Sequence, residues 1–125
     1  MDGRIQLLTP DINDKAIDHR GAIYSYVPKD AIVEFCYIVT NVGVTRGHHL
    51  HKEFDEYIML VEGEGIYLEL LPDGTVRKVV IGPGQTIYLP KFTPHTFVPL
   101  TTCKSVSFLT RAWDQCQEPI TPVKL

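Results

Sequence analysis

Three histidines and a glutamate stand at spacings that suit a metal site. His49 and His51 are separated by one residue, Glu56 follows five residues later, and His95 comes after a proline-rich corner at residues 90–94. Residues two apart on a strand point to one face, so His49 and His51 are expected to share a face. A tight turn before Glu56 would start the adjacent strand there and turn this carboxylate towards the same interior.

Three imidazoles and one carboxylate suit a borderline divalent ion such as zinc, iron, manganese or nickel, and they leave coordination positions open. An open position lets the metal polarise a carbonyl group or bind water or oxygen. The same histidines also suit chemistry without a metal, because an imidazole exchanges protons near neutral pH and acts as an acid or a base. Both interpretations stay open at this point.

The elements that position these side chains are predicted to be short β-strands. Alternating runs rich in β-branched and aromatic residues predict strands at residues 22–27, 32–42, 56–61, 65–71, 75–81, 85–89, 96–100 and 104–110. Pro72-Asp73-Gly74 predicts a hairpin turn, and residues 11–17 predict one short turn of helix. Many short strands at even spacing indicate an all-β sandwich or barrel, since closure removes unpaired sheet edges.

The length and composition predict one domain. The chain has 125 residues, 44% hydrophobic and 22% charged, with a core expected at about residues 20–110 and a polar tail at 111–125. A net charge of −3 without a basic run argues against a nucleic-acid partner. Apolar stretches are too short to span a membrane, and no signal peptide is recognisable. Cys36, Cys103 and Cys116 lie in no CxxC pair, which favours a reduced, cytoplasmic setting.

The histidine pattern resembles the first motif of the cupin superfamily. The block from Gly43 to Gly63 carries His49, His51 and Glu56 at every defined position of that motif. The resemblance implies a cupin jelly-roll barrel, the double-stranded β-helix, in a single domain. It also implies that these three residues, together with His95, are metal ligands.

A second block resembles the second cupin motif with two departures. It runs from Gly84 over Pro90 to His95. Phe92 stands where the motif has glycine, and Pro99 stands where it has asparagine. The departures weaken the resemblance only in this second half of the site.

Flanking residues resemble two narrower cupin families that act on nucleotide-linked 4-keto-6-deoxy sugars in surface polysaccharide biosynthesis. Asp18-His19-Arg20-Gly21 and the block from Gly43 to His49 are similar to segments of dTDP-4-dehydrorhamnose 3,5-epimerases. The block from Arg46 to Lys52 looks like the R-G-x-H-A-H-K segment of dTDP-sugar 3,4-ketoisomerases. Those ketoisomerases typically lack an acid at the position of Glu56 and work without metal, so Glu56 favours a metal-binding cupin.

The resemblance to these sugar-modifying enzymes implies roles for further residues. Epimerisation and keto migration both begin with removal of a proton beside a carbonyl, for which His49 or His51 is the candidate base if it is not a ligand. Tyr37 falls where the ketoisomerases carry an active-site tyrosine and is the candidate acid. Arg46 or Arg20 would grip a diphosphate, and Tyr88 is a further candidate for contact with the substrate.

Two other functions use the same residues. An iron-dependent dioxygenase of a small substrate would need the same four ligands and open positions. A non-catalytic small-molecule-binding cupin would retain its ligand without turnover. Free sheet edges and the tail favour a homodimer in each case.

Overall fold

The computed structural model describes residues 3–10 and 17–125. In these residues the strands are β1 (Gln6–Leu7), β2 (Ile17–Asp18), β3 (Gly21–Ala22), β4 (Glu34–Thr40), β5 (Arg46–Leu50), β6 (Glu56–Glu62), β7 (Gly65–Leu70), β8 (Val76–Ile81), β9 (Thr86–Leu89), β10 (His95–Pro99), β11 (Cys103–Leu109) and β12 (Thr121–Pro122). A 3-10 turn, Trp113–Gln115, precedes β12. The helical turn predicted at residues 11–17 falls on residues outside the described range, apart from Ile17, which begins β2.

Two antiparallel sheets of five strands form the fold. The first sheet has the order β1-β9-β6-β11-β4, and the second has the order β12-β5-β10-β7-β8. Strands that follow one another in the chain mostly change sheet, as β4, β5 and β6 do. This is the jelly-roll arrangement, so the prediction of an all-β cupin-type barrel is confirmed.

The core lies between the sheets and draws on both. Ile58, Leu60 and Ile87 of the first sheet pack with Ile81 and Phe97 of the second. Strands such as β11 alternate strictly between buried and partly exposed residues, because successive side chains point to opposite faces. Strand β9 is buried on both faces instead, since the chain before β4 covers its outer side.

The predicted strand at residues 22–27 is wrong except at Ala22, which ends β3. This segment crosses the outer face of the first sheet, where the Tyr26 hydroxyl donates to the Gly84 carbonyl at 3.2 Å. The Lys29 N–H donates to the Tyr57 hydroxyl at 2.9 Å. An alternating pattern describes a segment that lies flat on a sheet as well as one that joins it, so the pattern could not separate the two.

A buried carboxylate ties the N-terminal residues to the second sheet. Glu69 is 2% exposed and accepts hydrogen bonds from the backbone N–H groups of Arg4 at 2.6 Å and Ile5 at 3.1 Å. Arg77 completes the contact at 3.1 Å. The charge is therefore buried but paired, as buried charges must be.

Among the described residues, no helix is long and apolar enough to cross a membrane.

Candidate functional site

The three histidines of the sequence pattern meet inside the barrel. His49 lies near the end of β5, His51 directly follows that strand, and His95 begins the neighbouring strand β10, where it is paired with His49. One ring nitrogen from each histidine lies within 4.8 Å of the others. The expectation that these side chains share one face is therefore met.

Glu56 reaches the same site from the opposite sheet. It begins β6, which belongs to the first sheet, whereas β5 belongs to the second. The expectation that β6 lies next to β5 is wrong, because the jelly roll passes the chain from one sheet to the other at this turn. Glu56 Oε1 lies 3.3 Å from His51 Nε2, and Ser107 on β11 donates its hydroxyl to the other carboxylate oxygen.

Backbone carbonyls orient two of the rings. His51 Nδ1 lies 2.8 Å from the Pro119 carbonyl, and His95 Nδ1 lies 2.8 Å from the Thr93 carbonyl. A carbonyl oxygen only accepts, so each Nδ1 must carry the proton. Nε2 is then left to the site in both rings, which is how ligating or catalytic histidines are commonly oriented.

The surroundings shift the pKa values of the three imidazoles in different directions. Burial and the neighbouring His95 and His51 rings lower the pKa of His49 to about 4. Burial also lowers the pKa of His95. Burial opposes the charged form of His51, but the contact with Glu56 outweighs it and raises the pKa of His51. Burial likewise disfavours the Glu56 carboxylate, and the His51 contact outweighs it and lowers the Glu56 pKa. The surroundings therefore favour the charged forms of His51 and Glu56 as a pair and the neutral forms of the His49 and His95 rings.

A β-bulge brings Arg46 to the same face as His49. Residues three apart on a regular strand point to opposite faces. The pairing of β5 with β10 skips His48, since His95 pairs with His49 and Thr96 with Gly47. The extra residue has φ 60°, and its N–H donates to Thr96 Oγ1 at 3.0 Å. Bulges of this kind re-aim side chains near functional sites.

The Arg46 guanidinium is held at the mouth of the site. Its Nε donates to Thr40 Oγ1 at 2.9 Å, and Nη2 donates to the Val39 carbonyl at 2.8 Å. Gly47, the next residue, has φ 118°, and a Cβ there would lie 2.7 Å from the His95 carbonyl oxygen. Glycine is therefore needed beside Arg46 for the backbone to approach β10 so closely.

These side chains line one cavity of about 390 Å³. Tyr67 and Phe97 form part of its apolar wall, and Trp113 and Ile120 close one side from the C-terminal segment, residues 111–125. Burial, and then the charge of Glu56, raise the pKa of Tyr67 well above its ordinary value. The Tyr67 hydroxyl therefore keeps its proton and is available as a donor.

The sequence did not predict the contact of Ser107 or those of the Thr93 and Pro119 carbonyls. Ser107 has a local signal, because it is a small polar residue at a buried position of the alternating strand β11. The Pro119 carbonyl has none, since it comes from a segment 68 residues away from His51.

The structure does not place three of the expected residues in this cavity. Tyr37 lies on the outer face of β4 and is 64% exposed, whereas its neighbour Ile38 lines the cavity. Tyr88 is paired with Tyr57 across β9 and β6 and stacks on it on the outer face of the first sheet. Arg20 is bound to Asp18 at 2.6 Å in the exposed β2–β3 hairpin.

The backbone explains the glycine of the second cupin motif, which is Phe92 in this chain. Phe92 has φ 64°, in the left-handed region where a glycine has no steric cost. Its N–H donates to the His51 carbonyl at 2.8 Å. The chain therefore keeps the left-handed turn of the motif, and Phe92 adopts it with the backbone strain that a glycine would avoid.

The donor set fits a divalent metal ion. His49, His51 and His95 present nitrogens at mutual distances within 4.8 Å, and Glu56 adds a carboxylate beside His51. Imidazole and carboxylate together suit zinc, iron, manganese and nickel.

No protein family and no curated protein matches the sequence. Solved structures match the fold. A 3,4-ketoisomerase from Helicobacter canadensis superposes with a TM-score of 0.78 at 16% identity, over 96% of this chain and 91% of that one. The 3,5-epimerase RmlC from Legionella pneumophila, in complex with dTDP-4-keto-L-rhamnose, superposes with a TM-score of 0.73 at 18% identity, over 94% of this chain and 71% of that one.

A third structure is the capsular polysaccharide assembling protein CapF from Staphylococcus aureus. It matches with a TM-score of 0.68 at 17% identity, over 96% of this chain but 35% of that one. At such identities the similarity establishes the fold, which is that of the cupins. The chain resembles dTDP-sugar 3,4-ketoisomerases and 3,5-epimerases within that fold.

Proposed function

We propose that the chain is an isomerase or epimerase of a nucleotide-linked 4-keto-6-deoxy sugar. The observation that carries the proposal is one cavity of about 390 Å³ in which three histidines, a buried glutamate and an arginine meet. Barrels of this size hold one small ligand. A 3,4-ketoisomerase and a 3,5-epimerase, the latter bound to a dTDP-keto-sugar, share the fold.

His49 is the proposed base that removes the proton beside the carbonyl. Its pKa of about 4 keeps the ring neutral at pH 7, so that it can accept a proton. Such a base is weak in the empty cavity. The negative charge of a bound nucleotide diphosphate would raise its pKa towards the range in which a base works best.

The charged His51–Glu56 pair is the proposed stabiliser of the enolate. The electron pair left by the proton moves onto the carbonyl oxygen, and a donor beside that oxygen lowers the barrier. His51, whose pKa is raised by Glu56, provides one donor, and the Tyr67 hydroxyl provides another. In an epimerisation, return of a proton to the opposite face of the same carbon re-forms the carbonyl and completes the reaction. In a keto migration, the adjacent hydroxyl gives its proton to the former carbonyl oxygen, and a proton returns to the former carbonyl carbon. Arg46 at the mouth is the proposed diphosphate contact.

The convergence of three ring nitrogens within 4.8 Å favours a second form of the same function, in which a metal ion is bound. His49, His51, His95 and Glu56 would hold the ion, which would polarise the substrate carbonyl. Arg46 and Tyr67 would keep the same roles. The base would then be a residue other than these ligands.

Elemental analysis combined with proton exchange tests both forms. We would measure metal content and deuterium uptake from D₂O into dTDP-4-keto-6-deoxyglucose for wild type, His51→Ala and Glu56→Ala. His48→Asn is the matched control, because His48 is exposed on the bulge and asparagine tolerates its positive φ. Exchange and product formation in metal-free protein, lost in both variants, support the acid–base form. Exchange that requires about one metal per chain supports the metal form.

Three results would refute the proposed reaction. Absence of deuterium uptake with and without added metal would exclude proton removal from this substrate. Oxygen consumption by iron- or nickel-loaded protein would point to a dioxygenase. Tight retention of the sugar nucleotide without turnover would indicate a binding protein.

A homodimer is part of the proposal. Strand β4 is the edge of the first sheet, and its outer face presents Phe35 and Tyr37, which are 73% and 64% exposed. Large exposed apolar side chains beside an open edge favour burial against a second copy. Sedimentation equilibrium of wild type and Phe35→Lys tests this, and a monomer in wild type would contradict it.

A further inference from the structure

The C-terminal segment is held against the cavity at three places. The Trp113 N–H donates to Glu34 Oε1 at 2.7 Å. Strand β12 pairs with β5, with Thr121 opposite Leu50. Between these two anchors, the backbone of residues 117–119 hydrogen-bonds to Glu53 and His51. The middle contact is the one that hydrogen-bonds to a histidine ring of the site.

Glu53 makes this middle contact. Its Oε2 accepts a hydrogen bond from the Glu118 N–H at 2.8 Å, and its Oε1 accepts one from the Gln117 N–H at 3.3 Å. The next residue is Pro119, whose carbonyl lies 2.8 Å from His51 Nδ1. One carboxylate thus binds the N–H groups of the two residues that precede Pro119, and the Pro119 carbonyl orients the His51 ring.

Proline restricts the backbone between the N–H groups that Glu53 binds and the carbonyl that contacts His51. Its ring fixes its own φ near −65° and restricts the residue before it, here Glu118. Once Glu53 holds the N–H groups of residues 117 and 118, few rotations remain that could turn the Pro119 carbonyl away. His51 and Glu53 are only two residues apart, so both hydrogen-bond to the same short segment, residues 117–119.

We propose that Glu53 is a positioning residue for His51. It acts through the backbone of residues 117–119, which holds a protonated Nδ1 of His51 and so points Nε2 towards the cavity and Glu56. Loss of the Glu53 hydrogen bonds frees the ring to rotate and to exchange this proton with water. The consequence for catalysis rests on the proposed function, whereas the orientation of the ring does not.

The neighbouring pair between Lys52 and Glu118 supplies a matched control. Its side chains meet at 3.3 Å and are 45% and 51% exposed, so it contributes little. Glu118→Gln removes this exposed ion pair and keeps the backbone N–H that donates a hydrogen bond to Glu53. It changes the same segment by one charge without touching the contact to His51.

The experiment compares wild type, Glu53→Ala, Glu53→Gln and Glu118→Gln. The first measurement is the exchange rate of the His51 Nδ1 proton in ¹⁵N-labelled protein, together with amide exchange at Gln117 and Glu118. The second is kcat and KM for dTDP-4-keto-6-deoxyglucose. We expect Glu53→Ala to speed both exchange rates at least tenfold and to lower kcat at least tenfold with KM changed less than threefold. Glu118→Gln should match wild type within twofold.

Glu53→Gln keeps the proposal testable if the alanine variant does not fold. A glutamine retains one acceptor oxygen, so its exchange rates and kcat should lie between those of wild type and Glu53→Ala. A His51 Nδ1 proton as protected in both Glu53 variants as in wild type would overturn the proposal. If wild type does not turn over this sugar, the proposed function fails, but the exchange rates still decide the role of Glu53.

Discussion

Acid should destabilise this protein partly through His49, and His49→Asn should relieve that effect. The pKa of His49 falls from an ordinary 6.5 to about 4 in the folded chain. Between these pH values the unfolded chain therefore binds a proton that the folded chain does not. Stability must then fall as pH falls below about 6.5, and the effect must vanish above about pH 7.5, where both states are neutral.

The magnitude follows from the shift and the exposure. One pKa unit corresponds to ~1.4 kcal/mol, so the full shift would amount to ~3 kcal/mol at low pH. His49 is only half-buried, and solvent screening reduces this to roughly 1–2 kcal/mol. Asparagine stays polar and does not titrate, so the variant loses this contribution while His95 retains its own.

Urea unfolding at pH 7.5, 6.0 and 4.5 in the presence of a chelator measures the effect, with the single tryptophan, Trp113, as the fluorescent probe. We expect wild type to lose ~1–2 kcal/mol more than His49→Asn between pH 7.5 and 4.5. His19→Asn, which removes an exposed histidine, is the control and should follow wild type. Parallel curves for wild type and His49→Asn would refute the electrostatic account of the site.

Three further changes test other parts of the structure. Phe92→Gly should raise the free energy of unfolding by ~0.5–1 kcal/mol in urea, because it relieves the left-handed backbone at φ 64° at some entropic cost; a loss of stability would contradict this. Glu69→Ala should lower it by about 3–5 kcal/mol, since Arg77 and two backbone N–H groups lose a buried partner; a loss below ~1 kcal/mol would refute the buried tie. Arg46→Lys should raise KM for dTDP-4-keto-6-deoxyglucose about tenfold, because lysine lacks the guanidinium fork, and should lower the free energy of unfolding by about 1–2 kcal/mol through the lost hydrogen bonds to Thr40 and Val39; an unchanged KM would remove Arg46 from the diphosphate contact.

The local features of the fold were predictable from the sequence. Turn residues and alternation located β6 to β11 to within a few residues, because each strand needs only its own pattern of buried and exposed positions. The histidine pair also needed only local information, since residues two apart on a strand share a face. His95 was predictable through the resemblance of its motif rather than through any local rule.

Faces were not predictable in the same way. Alternation states that Tyr37 and Ile38 lie on opposite faces of β4, but it does not state which face is inside. That choice depends on what covers the outer side, as the double burial of β9 demonstrates. For this reason Tyr88 was assigned to the cavity although it lies on the outer face of β9. Lys29 and Tyr57 cover its ring there.

The sequence by itself determined which side chains are the candidates for the chemistry, namely the three histidines and Glu56, and most of the strands that present them. The tertiary structure decided how they meet: Glu56 comes from the facing sheet, a bulge at His48 brings Arg46 to the side of the strand that faces the cavity, and Pro119 orients His51 from 68 residues away. The reason is physical. Periodicity relates neighbours along one strand, whereas pairing register and contacts between distant segments depend on every strand that surrounds the site.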